Sequence, residues 1–513
     1  MSYIKRFVDK FYFLKKGETF LVFLIFAGAF LVRLYILLNS DNYEGTAVGR
    51  ATVAMDILRH PGFMANFDPA FAPLHLYLVA GALCILKDPM FTPQLVSFIF
   101  GSLLIFPFYH YVRLSFNRET AIFSSLIVCL YPLHVFHSVI STAPVTFHFF
   151  LFSSLYFFFK FKKQPSDKVA FLVLSAVFLN LACMIRYEGW VFIPLLSLLL
   201  YNNKKRHIVS FLLISMILPL VLMYLNYIRS NDPLFFLHQS DQHSRFMINF
   251  WRKSGLKWYL FNPLIAWPRI LCETLNPYVV ITGFCGLAYC LCKKKYLHPT
   301  IIFLTLFLIF EYKAVRQTLI FDTKYSLTLG LLLIPFCFLL LADITRIFRK
   351  KILKTAALVI FVLFVAYISI RNPYIKGPIA PTFVKEISSY LGKQATSDDR
   401  ILIDYDGDED NVYVIVLYSL LDSKQFLIVP RKIESERKYA DEKQVLNYLM
   451  EEKPRFVLYS PKGYLPEIFH FSLNRKREEE YGFIFDLVYE RGAYRIYEVI
   501  PKDETRYFYG TYK

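Results

Sequence analysis

Apolar runs of membrane-crossing length recur from residue 20 to residue 371, and they constrain the fold of this chain more than any other feature. They lie near 20–38, 74–87, 92–112, 119–137, 143–159, 169–185, 188–201, 208–228, 275–292, 298–312, 328–344 and 354–371. A bilayer core about 30 Å thick takes roughly 20 apolar residues of helix, and fewer where the helix is tilted or partly covered by protein. Hydrocarbon gives backbone groups no partner, so runs of this kind must be helical. Composition agrees, since 56% hydrophobic and only 19% charged residues leave too little polar surface for the roughly three soluble domains that 513 residues would otherwise suggest. The first run follows a basic stretch, holds Arg33 and lacks a small-residue cleavage site, so it reads as an uncleaved span.

The formal charge of +18 invites a nucleic-acid reading, but its distribution excludes one. From Asn372 onward there are 24 acidic and 21 basic residues, whereas the preceding part holds 16 acidic and 37 basic. The excess sits in short runs between apolar segments, at 5–16, 160–168, 204–207, 293–295 and 346–354. That is the signature of cytoplasmic loops. From residue 160 on, two spans separate each basic run from the next, which predicts that the C-terminal part lies outside. Twelve spans with an inside N-terminus would contradict this, so one span between residues 74 and 161 is missed or merged. The count becomes about 11–13.

After Arg371 the pattern changes. Short β-rich runs at 400–404, 425–429, 455–459, 482–489 and 493–499 alternate with helical stretches at 380–392, 411–422 and 441–451, as in a small α/β domain. The acidic run 404–410 lacks the glycine and distal glutamate positions of a calcium-binding loop and reads as a strand-to-helix turn. The expected architecture is therefore a polytopic α-helical membrane protein (residues 1–371) carrying an extracytoplasmic soluble α/β domain (372–513), set in the inner or cytoplasmic membrane.

All eight cysteines fall in or beside apolar segments, so no disulfide framework is implied. Cys290 and Cys292 have no second ligand pair at metal spacing and read as packing residues. Three outward segments, 40–72, 229–274 and 313–327, carry polarity that spans do not explain. In the first, Ala47, Val48, Ala51, Met55 and Leu58 recur at helical period opposite Arg50, Asp56 and Arg59, which suggests a helix lying on the membrane surface. In the second, Trp251, Trp258 and Trp267 suggest the headgroup level.

Asp41 and Glu44 stand just beyond the first span, three residues apart, so both could address one site. The same acids would equally solvate a loop and cap the helix that follows. This acidic pair, the Ala47 to Ala51 stretch and the entry Ala72-Pro73-Leu74-His75-Leu76-Tyr77 together resemble the GT-C superfamily of membrane glycosyltransferases. The likeness is to the branch of protein O-mannosyltransferases and aminoarabinose transferases of lipid A. Two further fragments, Met184-Ile185-Arg186-Tyr187-Glu188-Gly189-Trp190 and Thr323-Lys324-Tyr325-Ser326-Leu327, occupy the family's Arg-centred break and late Arg-Tyr position. Departures are that Asn42 and Tyr43 separate the two acids, and that Ala143 and Pro144 stand near His134, His137, Ser138 and Ser141 where a further acid is usual.

The resemblance implies transfer of a sugar from a polyprenyl-phosphate donor to a lipid, glycan or protein acceptor on the outer face, with the bilayer and no nucleic acid as further surroundings. Arg186 and Lys324, at outer span ends, would hold the lipid phosphate at headgroup level, although Arg186 would also pair simply with Glu188. Tyr325, Glu188 and His75 are the other substrate-side candidates, His75 serving equally as a hydrogen-bonded structural residue. Asp41 first, and Glu44 second, would be the base for the acceptor, with inversion of the sugar carbon. Two nearby carboxylates leave a divalent metal open, but no third ligand is evident and no cofactor is assigned. A transporter or lipid flippase would use internal repeats and mid-span ionisable groups. No convincing repeat is present, and Arg33 and Glu311 are the mid-span exceptions. A scaffold presenting the α/β domain would tolerate loss of charge in 40–72.

Overall fold

The computed structural model describes residues 2–60, 72–163, 169–201, 203–253, 263–347, 350–404, 409–429, 442–460, 463, 465–471 and 475–502. Trp258, the side chain of Trp251 and the middle of the 404–410 run lie outside the described residues. Among the described residues, seven helices are long and apolar enough to cross a membrane: Gly17–Leu37, Phe91–Ser115, Ala143–Lys163, Lys205–Ser230, Leu297–Val315, Thr323–Ile347 and Ile352–Ile370. Arg118–Cys129 and Pro132–Ser138 meet the same test as a pair, bent by 60°. Leu74–Ile85, Val169–Cys183, Tyr187–Leu199 and Pro277–Lys293 are shorter apolar helices. Every apolar run read from the sequence falls on one of these elements, and the chain is a polytopic helical membrane protein with a C-terminal sheet.

The bend has a local cause. Pro132 has no N–H to give to the Val128 carbonyl, so the helix cannot continue. Arg33 takes over that role from the first span. Its Nη2 donates to Val128 O at 3.1 Å, and its Nη1 donates to Cys129 O at 3.2 Å and Ala29 O at 3.1 Å. Nε donates to Ser138 Oγ at 3.2 Å, and Nη2 also donates to His134 Nδ1 at 3.0 Å. Guanidinium only donates, so His134 Nδ1 must accept. Arg33 is fully buried yet thoroughly hydrogen-bonded, a brace for a broken span. Gly101 packs where a Cβ would collide with Ser138, and a Cβ at Gly286 would collide with the Phe336 carbonyl, so both glycines permit close helix approach.

The chain divides into two compact units, one of residues 1–40, 67–79 and 94–377, the other of residues 41–66, 80–93 and 378–513. The first, helical unit has an aromatic and aliphatic core in which Phe108, Phe147, Phe152, Phe158 and Trp267 are fully buried. Trp267 lies against Phe310 and Phe321, with ring centroids 5.5 and 5.7 Å away, so it packs in the core instead of anchoring at headgroups.

The second, α/β unit holds a six-stranded sheet in the order β2-β1-β3-β6-β5-β4: β1 (Ile401–Asp404), β2 (Phe426–Val429), β3 (Phe456–Tyr459), β4 (Arg477–Glu480), β5 (Phe483–Arg491) and β6 (Tyr494–Pro501). β1 pairs in parallel with β2 and β3; β3, β6, β5 and β4 pair antiparallel. β1 and β3 are buried on both faces, which explains their unbroken apolar runs. Alternate residues divide between two cores. Ile401, Ile403 and Leu458 meet helices Thr382–Gln394 and Glu409–Ser419, while Leu402, Val457 and Tyr459 meet Val445, Leu449 and Phe469. The outer strand β4 reads Arg-Glu-Glu-Glu, a charged edge that discourages further pairing.

Helix Gly45–Arg59 belongs to this unit. Its apolar stripe, expected on the membrane surface, is instead covered by protein. Val48 and Ala51 are fully buried with Val384, Ile387, Val412 and Ile415. Tyr43 Oη donates to Asn411 Oδ1 at 2.9 Å, Arg59 donates to the Leu420 and Leu421 carbonyls at 3.0 Å each, and Ser423 Oγ donates to Asp56 at 2.9 Å. An amphipathic period reports a face that needs covering, and cannot say whether lipid or protein covers it.

Candidate active site

In the α/β unit, the chain leaving the first span turns along the segment that precedes helix Thr382–Gln394. Asp41 N–H donates to Pro378 O at 2.8 Å, and Ala380 N–H donates back to Asp41 Oδ2 at 2.9 Å. Lys385 Nζ lies 2.8 Å from each carboxylate oxygen, and Tyr418 Oη donates to Oδ1 over a longer 3.3 Å. Burial and the neighbouring Asp41 carboxylate push the Tyr418 hydroxyl well above the usual phenol range, so Tyr418 is a donor here. Glu44 has a different task. Its backbone is extended, and its Oε2 accepts the Ala47 N–H at 2.8 Å, which caps helix Gly45–Arg59. Neither Lys385 nor Tyr418 was foreseen from sequence; no spacing rule marks one lysine among 58 basic residues.

In the helical unit, the resemblance fragments meet. Leu74 N–H donates to Met184 O at 2.9 Å, which joins the His75 helix start to the Arg186 segment. Arg186 Nε donates to both Glu188 oxygens, at 3.0 and 3.1 Å, and its guanidinium carbon lies 5.2 Å from the Tyr325 ring centroid. Lys324 Nζ is 2.6 Å from Asp322 and 5.9 Å from the same ring centroid. Asp322 also N-caps helix Thr323–Ile344 by accepting the Lys324 N–H at 3.0 Å. Asp322 was missed at the sequence level, although an aspartate before a helical run is a recognisable cap. Two cations and two acids thus gather around Tyr325. The charge of Lys324 also acts on Glu188, and that of Asp322 on Arg186.

Buried histidines line the same unit. His75 Nδ1 is 3.2 Å from Thr146 Oγ1, so the His75 ring is tied into the helix assembly. His148 Nε2 is 2.9 Å from Thr328 Oγ1, one turn beyond Lys324 on its helix, and His137 Nδ1 is 3.0 Å from Thr142 Oγ1. Glu311 is buried, and among the described residues neither of its oxygens has a hydrogen-bond partner. No group of three or more His, Cys, Asp or Glu among the described residues is arranged to hold a metal.

The family model of dolichyl-phosphate-mannose-protein mannosyltransferases matches residues 68–227. Among solved structures, apo ArnT from Cupriavidus metallidurans is 13% identical with a TM-score of 0.63, over 94% of this chain and 98% of that one. The chain shares the membrane fold of ArnT. ArnT bound to undecaprenyl phosphate matches with a TM-score of 0.59 at 12% identity, over 93% of this chain and 97% of that one. The archaeal oligosaccharyltransferase AglB from Archaeoglobus fulgidus, in complex with an inhibitory peptide and a dolichol-phosphate, matches with a TM-score of 0.56 at 11% identity. That match spans 87% of this chain and 69% of AglB. No protein of curated function matches the sequence. The GT-C fold expected from the short fragments is thus borne out along nearly the whole chain.

Proposed function

We propose that this chain moves a sugar from a polyprenyl-phosphate carrier to a lipid, glycan or protein acceptor on the outer face of the inner or cytoplasmic membrane. The carrying observation is the GT-C fold over 94% of the chain, shared with a protein solved with undecaprenyl phosphate bound. Arg186 and Lys324 would take the lipid phosphate. Each rests against a carboxylate that a phosphate, with more oxygens, can replace or share. Tyr325 would form the wall between them, with Glu188 and His75 as the remaining substrate-side groups.

In the reaction, the acceptor oxygen forms a bond to the sugar carbon as the carbon–oxygen bond to phosphate breaks, and that electron pair leaves on the phosphate. The acceptor proton passes to a carboxylate, for which Asp41 is the assigned base and Glu44 the second candidate. Attack opposite the leaving group inverts the sugar carbon. The α/β domain would lie outside the membrane, as the charge of the loops implies.

The test is transfer by full-length protein in nanodiscs, supplied with tritiated undecaprenyl-phosphate-linked mannose, glucose, galactose and arabinose together with envelope lipid, glycan and protein acceptors. Label transferred by wild type, and much more slowly by Arg186→Gln at low donor concentration, supports the reading. Vesicle transport of these lipids without any covalent transfer would replace it with a flippase. That alternative would draw on mid-span charges, of which Arg33 is engaged in bracing the helix break and Glu311 remains.

A further inference from the structure

We infer that Lys385 is a positioning residue for the Asp41 carboxylate, so that the α/β unit sets the orientation of the proposed base. The inference rests on the reading of Asp41 as that base. Lys385 is 344 residues away in sequence, yet its ammonium bridges both Asp41 oxygens at 2.8 Å. The helix that carries it cannot turn, because Val384, Ile387 and Leu391 on its other side are fully buried. The backbone is fixed from the same side by the paired Asp41–Pro378 and Ala380–Asp41 bonds. Glu44, only three residues on, has no such arrangement and simply caps its helix.

The acceptor capacity of the carboxylate points the same way. An ionised carboxylate offers about four lone-pair positions. Lys385 and the Ala380 N–H occupy short ones, and Tyr418, at 3.3 Å, holds Oδ1 least tightly. That position suits an incoming hydroxyl, which would donate to Oδ1 in place of Tyr418 while Lys385 keeps the group aimed. The Asp41 side chain retains 21% exposure, so the carboxylate can be reached. Asp88 is the further charge near this cluster, acting on Tyr418.

The test uses full-length protein in nanodiscs and whichever donor of the four-sugar panel turns over fastest. Lys385→Met should lower kcat about 10- to 100-fold, the scale of a misplaced catalytic group, with KM within about twofold of wild type. Lys385→Arg should restore most of kcat, and Asp41→Asn combined with Lys385→Met should be no slower than Asp41→Asn alone. Treatment with a water-soluble carbodiimide should form an amide between Asp41 and Lys385, the water lost being taken up as the urea, and activity should fall as the cross-link accumulates. Should Lys385→Met unfold on thermal analysis, Lys385→Gln repeats the comparison. A normal kcat in the Lys385 variants beside an inactive Asp41→Asn, or losses that multiply in the double variant, would overturn the positioning role alone. A fully active Asp41→Asn would instead overturn the assignment of the base.

Discussion

Asp41, just after the first span, and the cations of the helical unit are held in opposite ways. Asp41 is fixed by groups 337 to 377 residues distant in the chain, including a lysine, a tyrosine and a backbone amide. Arg186 and Lys324 each pair with an acid two residues away. A long-range arrangement exists only when a domain has folded around it, so it fixes direction. A local pair can open and close without disturbing the fold, so it can neutralise a half-buried charge and yet release it to another anion. The first arrangement suits a group that must be aimed, and the second suits groups that must exchange partners.

Substitutions on the two sides sharpen this contrast. The largest effect is expected from Asp41→Asn, which removes the proposed proton acceptor and should lower kcat by about a hundredfold or more while the protein still inserts and purifies normally. Arg186→Gln and Lys324→Gln should act on the other term, each raising the donor KM about tenfold or more, the loss of the proposed charge-assisted phosphate contact. If Arg186→Gln lowered kcat alone, the cation would belong with the reacting centre and the contrast would fail.

Packing gives the next effect. Ala51→Glu places a charge in the fully buried seam between helix Gly45–Arg59 and the helices of the α/β core. It should destabilise that unit by about 2–4 kcal/mol, read as an earlier thermal transition. A helix resting on lipid would tolerate this change. Glu44→Ala should cost only about 1 kcal/mol through the lost cap, and Glu44→Gln, which can still accept the Ala47 N–H, should stay active.

The smallest effect lies at acid pH. Burial alone would raise the Asp399 carboxyl, but the Thr396 N–H and hydroxyl and the Arg455 guanidinium outweigh it and leave the folded value below the ordinary one. The unit's stability from this group is therefore present above the unfolded value of about 3.9 and is lost as pH falls through the folded value. Unfolding of Asp399→Asn should lose that part of the acid dependence below about pH 4.

Much of this architecture was legible because its causes are local. Apolar runs identified the helices, and short β-rich runs between helical stretches identified the strands around Ile401 and Phe456. The bent pair broken at Pro132 falls within residues 74–161, the stretch where parity of the basic loops implies a missed or merged span. The environment of each run was not legible. Helix Gly45–Arg59 carries the pattern of a surface helix and is covered by a domain that begins more than 300 residues later in sequence. Arg33 looked like a mid-span functional charge, but only the fold reveals the open carbonyls of Val128 and Cys129 that it serves. For the candidate site, Asp41, Arg186 and Lys324 stood out by position, whereas Lys385 and Tyr418 acquire meaning only from what they touch.

The most direct measurement is the rate of sugar transfer from an undecaprenyl-phosphate-linked donor by wild type, Asp41→Asn and Glu44→Gln, at equal amounts of folded protein in nanodiscs. Transfer by wild type and Glu44→Gln, with Asp41→Asn at least about a hundredfold slower, is the predicted result. Wild-type rates in both Asp41→Asn and Glu44→Gln would contradict the account.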